Sequence, residues 1–176
     1  KGEETKFDGD DDESGSYPGF VRRNKEKPFR SNGNTFSIAP GDYDSDGDMD
    51  VFLAEITHFW AGSSSDRSCL LENTGKEGGF TFKRHPQAMP REHKVKNWNQ
   101  GDLHTAWFDF DHDGDLDLIL ASSDYPDEQR LRVFRQDGPG KFVDATVELG
   151  IDWRSAVGIS VGDFDRDGDL DIVGGN

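Results

Sequence analysis

One nine-residue motif occurs three times in this 176-residue chain and constrains its fold more than any other feature. The motif is Asp-x-Asp-x-Asp-Gly-Asp-x-Asp, and its copies begin at Asp42, Asp109 and Asp163. Carboxylates at its first, third and fifth positions can turn toward one hard cation, and the glycine at the sixth position permits the bend that returns the later ligands. Each copy therefore predicts one Ca²⁺ site, or about three ions for the chain.

The motif differs from an EF-hand loop in the way it closes. An EF-hand ends on a bidentate glutamate at position 12 and continues into a helix. Position 12 here is Leu53, Leu120 or Gly174, and the flanking sequence is typical of strands. We expect the ninth aspartate to close the site and the seventh to offer its backbone carbonyl, by analogy with the EF-hand. The predicted metal residues are Asp42, Asp44, Asp46, Asp48, Asp50, Asp109, Asp111, Asp113, Asp115, Asp117, Asp163, Asp165, Asp167, Asp169 and Asp171.

Two other uses of these aspartates are less consistent with the sequence. Aspartate is common in polar turns, but five carboxylates within nine residues would repel one another strongly without a cation. Paired carboxylates also occur in glycosidases, yet a bound cation holds a carboxylate ionised and makes it a poor acid or base. Magnesium prefers a near-octahedral shell and retains several waters, which favours calcium here. We therefore predict that the chain is not an enzyme.

The same strand pattern surrounds each motif. A short apolar run precedes it, an aromatic residue occupies its second position, and an apolar strand follows it, at 51–54, 118–121 and 172–173. After the first two copies, an apolar strand, a glycine-containing turn and an aromatic strand predict a hairpin within 69–82 and 131–142. Each repeat unit therefore consists of four short antiparallel strands.

Four short strands cannot bury both faces alone, and stacking such units around an axis gives a β-propeller. The predicted fold is all-β, with propeller blades of four antiparallel strands. The sequence accounts for two blades and about half of another, against the roughly four to eight of a closed ring, so we expect a fragment of a longer propeller. The predicted divisions are a polar, irregular arm at 1–34, a first blade at 35–104, a second at 105–155 and the start of a third at 156–176.

Charge and composition exclude several partners. The fifteen motif aspartates account for nearly all of the net charge of −16, so the acidity is local. A basic cluster occurs at Arg22, Arg23, Lys25 and Lys27 within the polar arm, but the acidic balance of the chain predicts no nucleic-acid partner, since phosphate binding calls for clustered Lys and Arg. No apolar run is long enough to span a membrane. Cys69 is the only cysteine and is predicted to be buried and inert. Because weak structural calcium sites fill only where free Ca²⁺ is abundant, we expect an extracellular, cell-surface or periplasmic location.

The chain also resembles a known family. The segments APGDYDSDGDMDVFLAE, AWFDFDHDGDLDLILAS and SVGDFDRDGDLDIVGGN, together with LRVFRQDGPGKFVDATVELGI, resemble the FG-GAP and VCBS-like repeats, which form the blades of integrin-α-type propellers. The resemblance covers about residues 35–176. It implies calcium ligands at the side chains of loop positions one, three, five and nine and at the carbonyl of position seven. It further implies a secreted or surface protein whose calcium stiffens one face of the propeller.

The partner is less constrained than the metal. Trp60 and Trp98 lie in polar connections and are candidates for a protein- or carbohydrate-binding surface, whereas Trp107 is predicted to pack between blades. The five histidines have no zinc-type spacing. Three hypotheses stay open: a binding or scaffolding module, the non-catalytic propeller of a larger secreted enzyme, and a structural subunit of a surface assembly or filament.

Overall fold

The computed structural model describes residues 5–6, 16–17, 34–56, 68–79, 81–85, 88–90, 101–122, 130–154 and 157–175. Within these ranges every regular element is a strand. The strands are β1 Thr5–Lys6, β2 Ser16–Tyr17, β3 Asn34–Gly41, β4 Asp50–Ile56, β5 Cys69–Asn73, β6 Phe82–His85, β7 Asp102–Phe108, β8 Asp117–Ser122, β9 Leu131–Gln136, β10 Phe142–Asp144, β11 Gly158–Gly162 and β12 Asp171–Gly175.

The strands form antiparallel sheets whose strand order follows the chain. Sheet 1 comprises β3-β4-β5-β6, sheet 2 comprises β7-β8-β9-β10, and sheet 3 comprises β11-β12; β1 and β2 pair separately. The all-β prediction and the four-stranded antiparallel unit are confirmed. The sheets of the described residues do not close into a ring, as expected for a partial propeller.

Both predicted hairpins are present, but the first has a longer turn than the sequence indicated. Its returning strand, β6, begins at Phe82, whereas we expected a strand over 78–82. Gly75 and Gly79 both adopt positive φ, and the Thr74 amide donates to the Thr81 carbonyl over 2.8 Å, so the turn includes residues 75–79. The blade boundaries predicted from the sequence stay a prediction, although sheets 1, 2 and 3 lie in successive stretches of the chain.

Consecutive apolar side chains of sheet 2 point to opposite faces of the sheet, and each face packs on a different neighbouring sheet. Leu118 and Leu120 join residues of sheet 1 in one cluster, whereas Ile119 and Ala121 join residues of sheet 3 in another. Successive side chains of a strand point to opposite faces, which produces this division. Sheet 2 is therefore buried on both sides, and all six side chains of β8 are buried.

The seam between sheets 1 and 2 is aromatic. Trp107 stacks on Tyr43 with ring centroids 6.4 Å apart, meets Phe52 edge-on at 6.3 Å and lies 6.0 Å from Phe142. Its indole N–H donates to the carbonyl of Ala39 over 3.0 Å. The prediction that Trp107 packs between blades is confirmed.

A buried network of polar side chains also connects sheets 1 and 2, at the end of the sheets opposite the motif loops. The hydroxyls of Ser68 and Ser122 both donate to Asp102, which is fully buried, the second over 2.7 Å. Arg132 donates to Ser122 over 3.3 Å. Because Ser68 precedes β5 and Asp102 begins β7, these bonds join sheet 1 to sheet 2 and hold their relative position.

Candidate metal centres

The three motifs form the connections from β3 to β4, from β7 to β8 and from β11 to β12. They follow one backbone path. The sixth-position glycines have φ of 91°, 93° and 100°, and no neighbouring atom lies within 4 Å of a Cβ built on any of them. The glycine is therefore required by backbone conformation rather than by lack of space. The fourth residue is also left-handed in all three loops, with φ of 59° at Ser45, 60° at His112 and 66° at Arg166.

This path brings three carboxylates of each loop together. They come from positions one, three and nine, and one carboxylate oxygen of each lies within 4.8 Å of the others. Three acidic oxygens at this spacing can surround one hard cation. The groups are Asp42, Asp44 and Asp50 in loop 1, Asp109, Asp111 and Asp117 in loop 2, and Asp163, Asp165 and Asp171 in loop 3.

The first-position aspartate shapes its own loop. In each copy one of its oxygens accepts the amide N–H of the sixth-position glycine, over 3.0, 3.1 and 3.2 Å in loops 1, 2 and 3. In loop 1 the other oxygen accepts the amide of Asp46 over 3.0 Å. The bend at the glycine therefore places these carboxylates at the centre of the turn.

The ninth-position aspartate connects the loop to the rest of its sheet. Asp50 accepts the amides of Tyr43 over 3.3 Å and of Asn73, the last residue of β5, over 2.7 Å. In sheet 2, Asp117 accepts the corresponding amides of Phe110 over 3.1 Å and of Gln136 over 2.8 Å. Both carboxylates thus fix the motif loop against the third strand of the sheet.

Burial alters the acidity of these two groups. Asp50 and Asp117 are almost wholly removed from solvent. Burial raises the pKa of each carboxyl to about 6, and the backbone hydrogen bonds oppose this rise without cancelling it. In the absence of a cation these carboxylates are therefore costly to ionise, and a divalent ion beside them would remove that cost.

Within the three-carboxylate groups, two buried oxygens have no hydrogen-bond partner in the described part of the chain. They are Oδ1 of Asp44 and Oδ1 of Asp109, and each belongs to one of the three-carboxylate groups. Burial, followed by the charge of Asp46, raises the pKa of Asp44. A buried carboxylate oxygen without a partner is unfavourable, and a cation in the group satisfies it. The residues present in loops 1 and 2 therefore fit a bound cation.

The fifth and seventh aspartates occupy different places from the other three. Oδ1 of the fifth residue accepts the amide of the seventh over 2.8 Å in loop 1 and 2.9 Å in loops 2 and 3. Their carboxylates are not members of the groups within 4.8 Å, so their role as ligands stays a prediction. In loop 3, the carboxylate of the seventh residue, Asp169, lies 3.2 Å from Nε2 of His112 in loop 2. The fifth- and seventh-position aspartates of the three loops are Asp46, Asp48, Asp113, Asp115, Asp167 and Asp169.

Sequence reasoning missed two features of these loops. The left-handed fourth position carries serine, histidine or arginine, and only histidine is enriched in that conformation, so the three copies share no residue type that identifies it. The second is the bond from the ninth aspartate to the third strand, since Asn73 and Gln136 act through their backbone amides, which leave no trace in side-chain identity.

The remaining sequence candidates are distributed elsewhere. Cys69 is buried, as predicted, and His85 pairs with Glu72 over 2.5 Å. His104 accepts the amide of Ile159 over 2.9 Å, which joins sheet 2 to sheet 3. Trp60 and Trp98 lie outside the described residues.

Comparison with known proteins identifies the repeat. Residues 109–174 match the model of the FG-GAP-like repeat. This part of the chain is therefore an FG-GAP-like repeat, and the fold of the described residues is consistent with that family. The matched FG-GAP-like segment contains both loop 2 and loop 3 together with all of β8, β9, β10 and β11. None of the curated proteins compared with the chain matches it. The described residues contain no helix that is long and apolar enough to cross a membrane.

Proposed function

We propose that this FG-GAP-like chain is a calcium-binding β-propeller module that acts in binding or scaffolding outside the cytoplasm. In all three loops the first, third and ninth aspartates come together, and the loops share one backbone conformation. This observation carries the proposal. The buried, unpartnered oxygens of Asp44 and Asp109 support a cation in two of these groups. Calcium suits an all-oxygen set of ligands in a flexible loop.

In this proposal calcium has a structural role. Each ion offsets the repulsion among the loop carboxylates and holds the first, third and ninth residues together. Because the ninth aspartates of loops 1 and 2 also accept amides of the third strand, the ions of these two loops stabilise the four-stranded sheets as well as the turns. The unfolded chain lacks such sites, so calcium binding and folding are linked.

The proposed location and the absence of catalysis follow from the same chemistry. Structural calcium sites of modest affinity fill where free Ca²⁺ reaches about 10⁻⁴ to 10⁻³ M, which favours an extracellular, cell-surface or periplasmic setting. Carboxylates committed to calcium stay ionised and are unsuited to proton transfer. We expect the partner to be a protein or a carbohydrate, bound away from the calcium loops.

Native mass spectrometry of the chain with and without Ca²⁺ tests the proposal. We expect three bound ions, and the variants Asp42→Asn, Asp109→Asn and Asp163→Asn should each lose one. The matched control is Asp152→Asn, which removes an equal charge from an exposed site paired with Arg154. Wild-type protein that binds no calcium at millimolar concentration, or a triple variant that still binds three ions, would contradict the proposal.

One observation favours the structural-subunit hypothesis as a second candidate. Several large apolar side chains of sheets 1 and 3 are exposed on faces whose counterparts elsewhere in the chain are buried. Surfaces of this kind are typical of protein association.

A further inference from the structure

One hydrogen bond recurs at the seam between sheets 1 and 2 and at the seam between sheets 2 and 3. It joins the side chain five residues before one motif to the backbone amide four residues before the next motif. At the first seam Ser37 Oγ accepts the amide N–H of Thr105 over 3.3 Å, and at the second His104 Nδ1 accepts the amide N–H of Ile159 over 2.9 Å. The two bonds are equivalent in the repeat, but only the acceptor at the second seam can gain a proton near neutral pH.

The backbone explains why both acceptors lie at this position. The pairing of β3 with β4 is irregular between Thr35 and Ser37, and the pairing of β7 with β8 is irregular between Asp102 and His104. In each strand one residue is thus left out of the pairing directly before the acceptor. A β-bulge of this kind interrupts the regular alternation of side chains and re-aims the side chain beside it. Ser37 and His104 are therefore directed by the same local irregularity.

The donating amides lie on strand edges. β7 and β11 are the first strands of sheets 2 and 3, so within the described residues each pairs with a strand on one side only. Thr105 and Ile159 are both buried, and a buried amide without an acceptor is unfavourable. In each case a side chain of the preceding sheet supplies the acceptor that the edge amide needs.

Acidification affects the two acceptors differently. Ser37 keeps an oxygen that accepts hydrogen bonds throughout the range around neutral pH. His104 accepts only while its ring is neutral, because both ring nitrogens of a charged imidazole are donors. A charged ring would place an N–H against the N–H of Ile159, and rotation of the ring would not restore an acceptor. His104 is half-buried, so protons from solvent can reach it.

We propose that the seam between sheets 2 and 3 is a pH-sensitive joint, which loosens when His104 is protonated, whereas the equivalent bond between sheets 1 and 2 persists. Protonation leaves the Ile159 amide without its acceptor in a seam that also buries Phe108 and Ile119. The two sheets must then separate far enough for water to reach that amide. The proposal does not depend on calcium binding, because neither His104 nor Ile159 belongs to a motif loop.

Other ionisable side chains on the strands around this joint do not take the place of His104. β3 and β11, which both contact β7, carry no ionisable side chain. β7, β8 and β4 carry four carboxylates, of which two lie at the motif-loop end of their strands and two accept hydroxyl hydrogen bonds. His104 is therefore the ionisable group that bonds to β11. The four carboxylates are Asp50 and Asp117 at the motif-loop end, and Glu55 and Asp102 with hydroxyl partners.

Hydrogen exchange of single amides, followed by NMR at constant calcium concentration, tests the proposal. The protection factor of an amide compares its exchange rate with that of an unstructured peptide at the same pH. The Thr105 amide is the internal control, because a change in global stability affects both amides and cancels in their ratio. From about pH 7.5 to about pH 5.5 the protection factor of Ile159 relative to that of Thr105 should fall at least about fivefold, the factor that corresponds to one hydrogen bond.

Replacement of His104 separates its charge from its hydrogen bond. His104→Asn provides an acceptor oxygen near the position of Nδ1 but cannot be protonated, so the ratio of protection factors should become independent of pH. Circular dichroism establishes that the variant is folded. His104→Ser, which introduces the acceptor of the first seam, replaces it if it is not. The matched control is His85→Asn, which removes a half-buried histidine of sheet 1 and should leave the fall in the ratio unchanged.

Three results would overturn the proposal. The first is a ratio that stays constant with pH in the wild-type chain. The second is a fall that persists in a folded His104 variant, because another group would then be titrating. The third is a fall that disappears in His85→Asn, because the titrating group would then lie in sheet 1.

Discussion

Loops 2 and 3 share eight of nine residues, yet they sit in different surroundings. Asp117 of loop 2 is fully buried and accepts amides from its own loop and from Gln136 of the third strand. Asp171 of loop 3 is half-buried and, within the described residues, accepts only the amide of Phe164 over 2.9 Å. The motif therefore determines the loop backbone, whereas neighbouring strands determine the burial and acidity of its carboxylates.

The second position of the motif shows the same contrast between loops 1 and 3. Tyr43 is 6% exposed because it lies between its own sheet and the Trp107 and Phe142 rings of sheet 2. Phe164 occupies the same place in loop 3 and is 57% exposed. The aromatic residue at this position can pack on a neighbouring sheet. It contributes to the free energy of unfolding only where such a packing partner contacts it.

The largest expected difference comes from removing these two aromatic side chains. Tyr43→Ala should lower the free energy of unfolding by about 3–4 kcal/mol, because it leaves a cavity in the seam between sheets 1 and 2. Phe164→Ala should change it by less than about 0.5 kcal/mol, because the side chain is exposed. Urea denaturation at low protein concentration measures both. Equal losses for the two variants would show that sheet contacts do not distinguish the loops.

Removal of the ninth aspartate should distinguish loop 2 from loop 3. In excess Ca²⁺, Asp117→Ala should lower the free energy of unfolding by about 3 kcal/mol, because it leaves two amides without their acceptor, and Asp171→Ala by about 1 kcal/mol. The control is Asp115→Ala in the same loop, expected to change stability by less than about 0.5 kcal/mol. A loss at Asp171 as large as that at Asp117 would contradict the role assigned to the third strand.

The pH dependence of stability should change sign when calcium is added. The pKa of Asp50 and of Asp117 is about 6 in the folded chain, above the ordinary 3.8. In protein freed of divalent ions, the stability linked to each group is therefore present below about pH 4 and is lost as pH rises through 6, on the order of 2 kcal/mol per group.

With Ca²⁺ bound the order reverses, because protonation of either carboxylate competes with the ion. Metal-free protein should therefore have a higher Tm at pH 5 than at pH 7, and calcium-loaded protein the opposite. Thermal denaturation under the four conditions measures this effect. The double variant Asp50→Asn/Asp117→Asn should lose most of the pH dependence of Tm. If the pH dependence persists in this variant, groups other than Asp50 and Asp117 are responsible for it.

The smallest expected effect concerns the backbone of the loop. Gly114→Ala should cost about 1–2 kcal/mol, because alanine is strained at φ of 93° although its Cβ meets no atom. Gly175→Ala is the matched control, since that site also has open space but does not require a left-handed backbone. Thermal denaturation with and without Ca²⁺ compares the two variants. A cost at Gly175 equal to that at Gly114 would remove conformation as the explanation.

The sequence predicted what repeats and missed what depends on neighbours. The all-β class, the four-stranded unit, the packing of Trp107 and the burial of Cys69 followed from apolar patterning and the recurrence of one loop. The longer turn before Phe82 did not follow, because it depends on the bond between Thr74 and Thr81. The hydrogen bond from the Asn73 amide to Asp50 could not be predicted from the sequence either, because it joins a side chain to a backbone amide 23 residues away.

If loops 1 and 2 bind calcium as proposed, that link makes ion binding depend on strand alignment. Asp50 and Asp117 begin β4 and β8, and each accepts the amide at the end of the strand that pairs directly with its own, β5 or β9. A slip of one residue in that pairing would turn the amide away and leave the carboxylate without its support. Ion binding at loops 1 and 2 would then favour sheets with the correct strand register over misaligned ones. The metal ions would thus select the correct register during folding as well as stabilise the folded state.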